Sequence, residues 1–444
     1  MVRVFFDRFF SLIIVICCLP LLFFPKINLL LLSQSETAGL RIDDFILLLF
    51  SLIIFWAHFV LKIKATALER WFFAFIAFAL FSYFSNRLLV GLEILHVNAS
   101  IFYVFRLLEY FLFFYIGMLC SLHFPISSVI KAFLIWNILI MAGQKMGVIG
   151  HFSTTGYIPS ATQYVSGIAS FSSEAGALIN MAFCFLVFSE DNNVARASTP
   201  CLSSQTSSQG GTPWLPYKKF STAPYLIFLL CLIAVIFTGS RLSIFTLVLS
   251  FLFRIKQDFK YSFAPFLFIA IFIPVSALLA FELIVNTAIV FQRSEGLLSF
   301  KNIGLISLVW ENIDLTLDPI EHEAVPYDNY DMSWWLRIRK WCYALKIYYL
   351  NPECYLQGIG PGFAKAALDG GYLRLLTENG IIGSLLFGKS IYVIYRQTPY
   401  LKWMTIAFLI NMIFFDIYLA YKPMSLLFLV SGWAYSQECR EAKN

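Results

Sequence analysis

The chain has 444 residues, 59% of them hydrophobic and 13% charged, with a mean hydropathy of +0.76. Soluble domains carry about 25% charged residues, so a water-soluble globular protein is excluded, and the 48 Phe and 22 Tyr fit a polytopic membrane protein. The net charge of +6 is spread over connecting segments without a basic stripe, which argues against nucleic-acid binding.

Apolar runs long enough to cross a bilayer, about 17–25 residues, fall near 9–25, 44–62, 70–90, 101–123, 126–144, 174–189, 223–239, 241–256, 262–284, 372–395, 401–420 and 422–437. The lipid core offers no water to backbone groups, so each run is predicted to be a helix. The expected fold is an all-α polytopic membrane protein of about 12 transmembrane helices. No small-residue cleavage site follows the first run, which is expected to be a spanning helix and not a signal peptide.

Basic residues set the orientation. With the N-terminus inside, the inner segments carry Arg3, Arg8, Lys62, Lys64, Arg70, Lys131, Arg196, Lys218, Lys219, Arg254, Lys256, Lys260, Lys389, Arg396, Lys402, Arg440 and Lys443. The positive-inside rule then places both ends in the cytoplasm. Residues 1–284 hold the first nine helices, 285–371 a large outer loop with short helices, 372–437 the last three helices, and 438–444 a tail. A Ser/Thr/Gly/Pro-rich linker at about 190–222 lies inside. The outer loop is not low-complexity. It holds four tryptophans, mixed charge and a predicted helix over 333–350 that Pro352 ends, as a lid or small subdomain would. No internal repeat supports a transporter.

Most of the nine cysteines sit in apolar runs, as small buried hydrophobes do, and no metal-ligand spacing occurs. Cys342 and Cys354 share the outer loop, where pairing is open. Charges inside predicted spans are costly and mark functional candidates. Arg106 and Glu109 stand at i, i+3 and fit a structural ion pair. Glu69-Arg70 is read as interfacial.

"FTGSRLSIF" (237–245) ends one span and begins the next with almost no loop. Arg241 at a helix start, beside free amides, fits an anion site, or a snorkelling interfacial arginine. "SFSSEAGALIN" (170–180) puts Glu174 in a first helical turn, where it complements the dipole or serves as a base. His151 precedes it in an outer loop and fits a solvated surface histidine or a further base. On the 333–350 helix Arg337 and Lys340 share one face while Arg339 points elsewhere. Trp334, Ile338, Trp341 and Leu345 are expected to form the apolar stripe of an interface-lying helix. Arg293 is a weaker cation on the same side. Arg374 and Glu378, at i, i+4, are expected to pair or to line a wet cavity. Cations, carboxylates and aromatics thus gather on the outer side, which suits a diphosphate-linked sugar.

"GSRLSIFTLVLSFLF", "RIRKWCYALKIYYLNPECYLQGIGPG" and "DGGYLRLLTENGIIGSLLF" occur in that order, with an outer loop between the first two. This ordered set resembles the O-antigen polymerase / O-antigen ligase superfamily of bacterial envelope glycosyltransferases. "LRIDDFILLLF" and "SFSSEAGALINMAF" resemble its second and sixth spans. The resemblance implies a core like the large membrane-embedded GT-C glycosyltransferase class in the inner membrane, with the active face in the periplasm. It implies transfer of an oligosaccharide from undecaprenyl diphosphate to another lipid-linked repeat unit (polymerase) or to the lipid A core (ligase). It implies no cofactor and no metal. Partners would be undecaprenyl-diphosphate-linked oligosaccharides, with a chain-length regulator and a flippase in the same membrane.

By the same resemblance Arg241 and Arg337 would hold the donor diphosphate, with Arg293 as a further candidate. Asp369 stands where ligases carry a histidine before asparagine, which favours the polymerase branch. Asp369 and Glu174 are the candidate bases, with His151 behind them, and Arg339, Arg374 and Glu378 line the site. The alternatives are the ligase, a capsule or exopolysaccharide polymerase, and a non-enzymatic flippase of lipid-linked sugars.

Overall fold

A computed structural model describes residues 8–24, 28–31, 39–61, 65–89, 101–153, 156–158, 165–197, 223–259, 301–315, 332–363 and 368–442. The predicted span at 262–284 and most of the 190–222 linker lie outside these residues. So does Arg293.

The described chain is almost all helix. In order the helices are α1 (Arg8–Cys18, continued as Pro20–Phe23), α2 (Ile42–Leu61), α3 (Ala67–Leu89), α4 (Phe102–Cys120), α5 (Ile126–Lys145), α6 (Ser172–Ala197), α7 (Ala223–Thr238), α8 (Arg241–Phe259), α9 (Lys301–Asn312), α10 (Met332–Leu350), α11 (Gly371–Gln397), α12 (Pro399–Asn411) and α13 (Tyr421–Glu441). Two short antiparallel hairpins, Asn28–Leu31 with Gly39–Arg41 and His151–Ser153 with Gly156–Ile158, complete the set.

Among the described residues four stretches are long and apolar enough to cross a membrane: Ala67–Ser85, Phe102–Cys120, Ile126–Lys145 and Ser172–Ser189. Phe9–Phe23, Asp44–Ile54 and Ala223–Thr238 are shorter apolar helices. The predicted run at 401–420 does not form one helix. It is helical only as α12, then turns through Asp416 and a short Ile417–Leu419 helix.

The core explains the large phenylalanine content. Phe72, Phe111 and Phe428 interlock α3, α4 and α13, with ring centroids 4.4 Å apart for Phe72–Phe111 and 5.0 Å for Phe111–Phe428. In lipid, helices associate through packing, and small residues let backbones touch. At Gly432 a Cβ atom would lie 1.8 Å from the Phe114 carbonyl oxygen, and at Gly117 2.0 Å from that of Leu429. α6 is the central helix, with 83% of its Ser172–Ser189 stretch buried.

Charges at helix ends are satisfied locally. Thr66 and Glu69 form a capping box at the start of α3, with Glu69 N donating to Thr66 Oγ1 (3.1 Å) and Thr66 N to Glu69 Oε2 (2.5 Å). Glu69 is buried and also accepts from the Tyr115 hydroxyl, so it is more than interfacial. Buried Lys422 donates to the carbonyls of Leu22 (2.9 Å) and Phe24 (2.5 Å), where the first helix ends.

Candidate functional site

Helix α10 carries the first part of the site. It ends at Leu350, and Asn351-Pro352 follows, as the sequence predicts. Its buried face shares most of the expected stripe, since Ile338 is buried there and Trp334 and Trp341 pack against it. Trp335, Ile338, Cys342, Ala344 and Ile347 pack against Leu305 and Val309 of α9 and against Ile359, Phe363 and Leu368, while Leu345 is exposed. The helix therefore builds a small apolar core with α9 and with the segment before α11. Cys342 and Cys354 belong to that core as free thiols, and burial pushes each up to about 11. Arg339 is buried with its guanidinium over the Trp335 ring, so it points inward, as its position on the helix predicts. Arg337 is half-buried, and its Nε has no hydrogen-bond partner among the described residues. Lys340, one turn on, reaches the Asp369 carboxylate at 3.2 Å.

Asp369 occupies an unusual backbone position. Its φ is 56°, the one positive value at a non-glycine residue among the described residues. Such a conformation costs about 1 kcal/mol or more and survives where neighbours over-determine it. Here Trp341 Nε1 donates to the Asp369 carbonyl at 3.3 Å. The Leu368 and Gly370 amides, on either side, donate to the two oxygens of Asp416 at 2.6 and 3.1 Å. Trp341 also stacks on Phe414, with centroids 6.2 Å apart, so α10 lies on the turn after α12.

Below this turn Arg374 and Glu378 pair on α11, with Nε donating to Oε1 at 2.8 Å. Both are almost fully buried, at 3% and 1% exposure, so they do not face a wet cavity. Their charge is balanced inside the bundle. Arg374 Nη1 donates to Asp416 at 2.9 Å, its guanidinium lies over the Tyr103 ring, and the Tyr418 hydroxyl donates to Glu378 Oε2 at 3.0 Å. A buried ion pair tolerates lipid depth when its remaining donors and lone pairs are occupied.

α11 is broken one turn later. Gly380 has φ 62°, and the helix resumes beyond it. The Gly358–Gly360 segment enters the gap. Ile359 N donates to the Thr377 carbonyl (2.7 Å) and Gly360 N to that of Glu378 (3.0 Å). Broken backbone in a membrane protein needs such substitute partners.

Arg241 opens α8 two residues after Gly239, which adopts φ 66° to turn the chain. The guanidinium is half-buried, and its Nη1 has no hydrogen-bond partner among the described residues. A polar seam anchors this helix start. Ser243 Oγ donates to Asn411 Oδ1 (3.0 Å), and Asn180 Nδ2 donates to the Ser243 carbonyl (3.0 Å). Gly176 lets α6 approach, since a Cβ there would lie 2.4 Å from Ser243 Oγ. The next residue after Asn411 is Met412, whose carbonyl accepts from Gly371 N at 3.0 Å. Ser243 of α8 and Gly371 of α11 are thus bonded to adjacent residues, Asn411 and Met412.

Glu174 lies in the first turn of α6, just before Gly176. Its oxygens accept from the Ser170 amide (3.1 Å) and the Lys422 amide (3.4 Å), an arrangement that serves the helix start. His151 is buried in its hairpin rather than solvated, and burial lowers its pKa. Gln144 holds the neighbouring chain, accepting from the Ser166 and Gly167 amides and donating to the Gly150 carbonyl.

Lys340, Trp341, Asp369, Asp416 and Arg374 therefore form one contact network. The helix starts that carry Arg241 and Glu174 pack together at Gly176 and Ser243, and Ser243 bonds Asn411 of α12. Sequence reading missed Asp416, Tyr418 and Asn411. Asp416 carried a signal, a lone carboxylate within a run read as a span, whereas nothing set Tyr418 apart from the other tyrosines. Compared with protein-family models and with curated protein sequences, the chain matches none.

Proposed function

We propose that this chain is a membrane glycosyltransferase that polymerises lipid-linked oligosaccharide repeat units at the outer face of a bacterial inner membrane. The observation that carries the reading is the pair Arg241 and Arg337. Each is half-buried and leaves a buried guanidinium N–H without a hydrogen-bond partner among the described residues, and the positive-inside reading assigns both to the outer side. A guanidinium is well suited to a diphosphate, which it can bind through two parallel hydrogen bonds.

The reaction asks little else of the protein. The donor is already activated, because undecaprenyl diphosphate leaves with its charge spread over several oxygens. The acceptor sugar hydroxyl attacks the anomeric carbon, the bond from that carbon to the diphosphate oxygen breaks, and the hydroxyl proton passes to Asp369. Arg241 and Arg337 receive the charge on the leaving diphosphate, each worth roughly 2.7–4 kcal/mol if aimed like an oxyanion-hole donor. Asp369 has the exposure this role needs, with its side chain 31% accessible and one oxygen on Lys340. Glu174 is the second candidate base, although both of its oxygens are engaged by backbone amides. Aspartate in place of the histidine of the ligases favours the polymerase branch. The twelve-span topology, the likeness to the GT-C class, the partner proteins and the inner-membrane location belong to the same proposal.

A cell assay tests it. Arg241→Ala and Arg337→Ala are expected to abolish long-chain polymer while the protein still reaches the membrane. Normal polymer in both variants rejects the diphosphate assignment. A chain that acts as the ligase would, when lost, leave no repeat unit on the lipid A core, whereas loss of the polymerase leaves one.

A further inference from the structure

A carboxylate inside an apolar region is costly unless donors occupy its lone pairs. Asp416 meets that requirement in an informative way. Oδ2 accepts from the Leu368 amide at 2.6 Å and from Arg374 Nη1 at 2.9 Å, and Oδ1 accepts from the Gly370 amide at 3.1 Å. The two amides belong to the residues on either side of Asp369. One carboxylate therefore spans the turn that contains another, and the residue between the two anchors takes the left-handed conformation, φ 56°.

Asp369 is held from a second direction as well. Lys340 of α10 meets its carboxylate at 3.2 Å, and Trp341 donates to its carbonyl at 3.3 Å. Asp416 is fixed in turn through Arg374, which Glu378 binds at 2.8 Å and Tyr418 secures through Glu378 at 3.0 Å. The buried ion network thus ends on the backbone of the most exposed carboxylate of the site.

From this geometry we infer that Asp416 is a positioning residue for Asp369. It sets the direction of the Asp369 carboxylate through the flanking amides and does not touch the substrate. Its part in transfer rests on the proposed role of Asp369 as proton acceptor; the clamp itself does not. Arg374, Glu378 and Tyr418 then act in the same chain, each one step further from the reacting atoms.

Asp416→Asn separates the clamp from simple loss of packing. Asparagine keeps the size and one acceptor oxygen but places an NH2 group where the second oxygen stood, opposite one of the two amides. One flank of the turn is released. Two measurements on the full-length protein are needed. In the first, the purified chain is supplied with an undecaprenyl-diphosphate-linked repeat unit. Misplacement of a reacting group by about 1 Å costs on the order of 10²-fold, so kcat falls by about that factor while KM stays within about twofold. In the second, Asp369→Cys is labelled with a membrane-impermeant maleimide in spheroplasts, with and without Asp416→Asn. The buried thiols of Cys342 and Cys354, pushed up to about 11, contribute little background. Release of the turn raises the labelling rate several-fold, as local opening does.

Unchanged labelling together with an unchanged kcat, or with a kcat that falls only as far as the amount of folded protein falls, overturns the inference. If the parent chain makes no polymer from this donor, the proposed function fails. The labelling pair then decides the clamp alone, a faster rate upholding it and an equal rate rejecting it.

Discussion

The amide of Ile359 donates to the carbonyl of Thr377 at 2.7 Å, so the segment before α11 supplies a backbone partner at the break within α11. The break that makes room for this contact is set by glycine. Gly358 has φ 83° and Gly380 has φ 62°. A Cβ at Gly358 would lie 2.3 Å from the Glu378 carbonyl oxygen, and one at Gly380 2.4 Å from that of Leu356. Gly358→Ala and Gly380→Ala are therefore expected to destabilise the protein by at least about 1–3 kcal/mol. Gly388 is the control, because an added Cβ meets nothing within 4 Å. Gly388→Ala should be neutral or gain up to about 1 kcal/mol. Thermal unfolding in detergent measures all three, and equal stability of the Gly380 and Gly388 variants contradicts the docking.

The contact of α4 with α13 depends on the same principle at two further glycines. Gly432→Ala puts a methyl group 1.8 Å from the Phe114 carbonyl, and Gly117→Ala puts one 2.0 Å from that of Leu429. Neither backbone can yield without parting the helices, which also parts the Phe111–Phe428 ring contact. Both variants should give a large loss of folded protein after membrane extraction, read by size-exclusion chromatography. Wild-type recovery of Gly432→Ala is the contrary result.

These contacts show what the sequence made legible. Apolar runs of the right length located most of the described helices, but the run at 401–420 is helical only to Asn411 and the run at 262–284 lies outside the described residues. Asn351-Pro352 marked the end of α10, and the i, i+4 spacing predicted the Arg374–Glu378 pair at 2.8 Å. The surroundings of that pair were not legible. A wet cavity was expected, and a buried network with Asp416 and Tyr418 was found, because partners 42 and 40 positions away leave no local pattern. The buried face of α10 was legible in part: Trp334, Ile338 and Trp341 pack on it, whereas Leu345 is exposed and Trp335, Cys342 and Ile347 were not foreseen. Its register depends on α9 and on Phe363, which a helical wheel does not contain.

His151 gives the fold a pH dependence with a definite sign. Burial lowers its pKa from the usual 6.5. The unfolded chain then binds the proton more readily than the folded one just below pH 6.5, so the stability held above that pH is lost as the pH falls through the folded value. The melting temperature should decline on acidification through this window. His151→Gln should flatten that part of the curve, and a decline of the same size in the variant rules the histidine out.

Orientation is tested by reporter fusions. Alkaline phosphatase joined after Asp314 should be active and the same reporter after His123 inactive, since the basic residues place the first segment outside and the second inside. The reverse pattern overturns the orientation and with it the placement of Asp369 and Arg241 on the outer face.

The most direct test of the central claim is reconstitution of the purified chain in liposomes with a synthetic undecaprenyl-diphosphate-linked repeat unit and no metal added. The account predicts a ladder of products that grows by one repeat unit at a time. Arg241→Ala and Arg337→Ala should each slow its formation by roughly 10²–10³-fold. No ladder from the parent chain with any repeat unit, or ladders from both arginine variants at the parent rate, would contradict it.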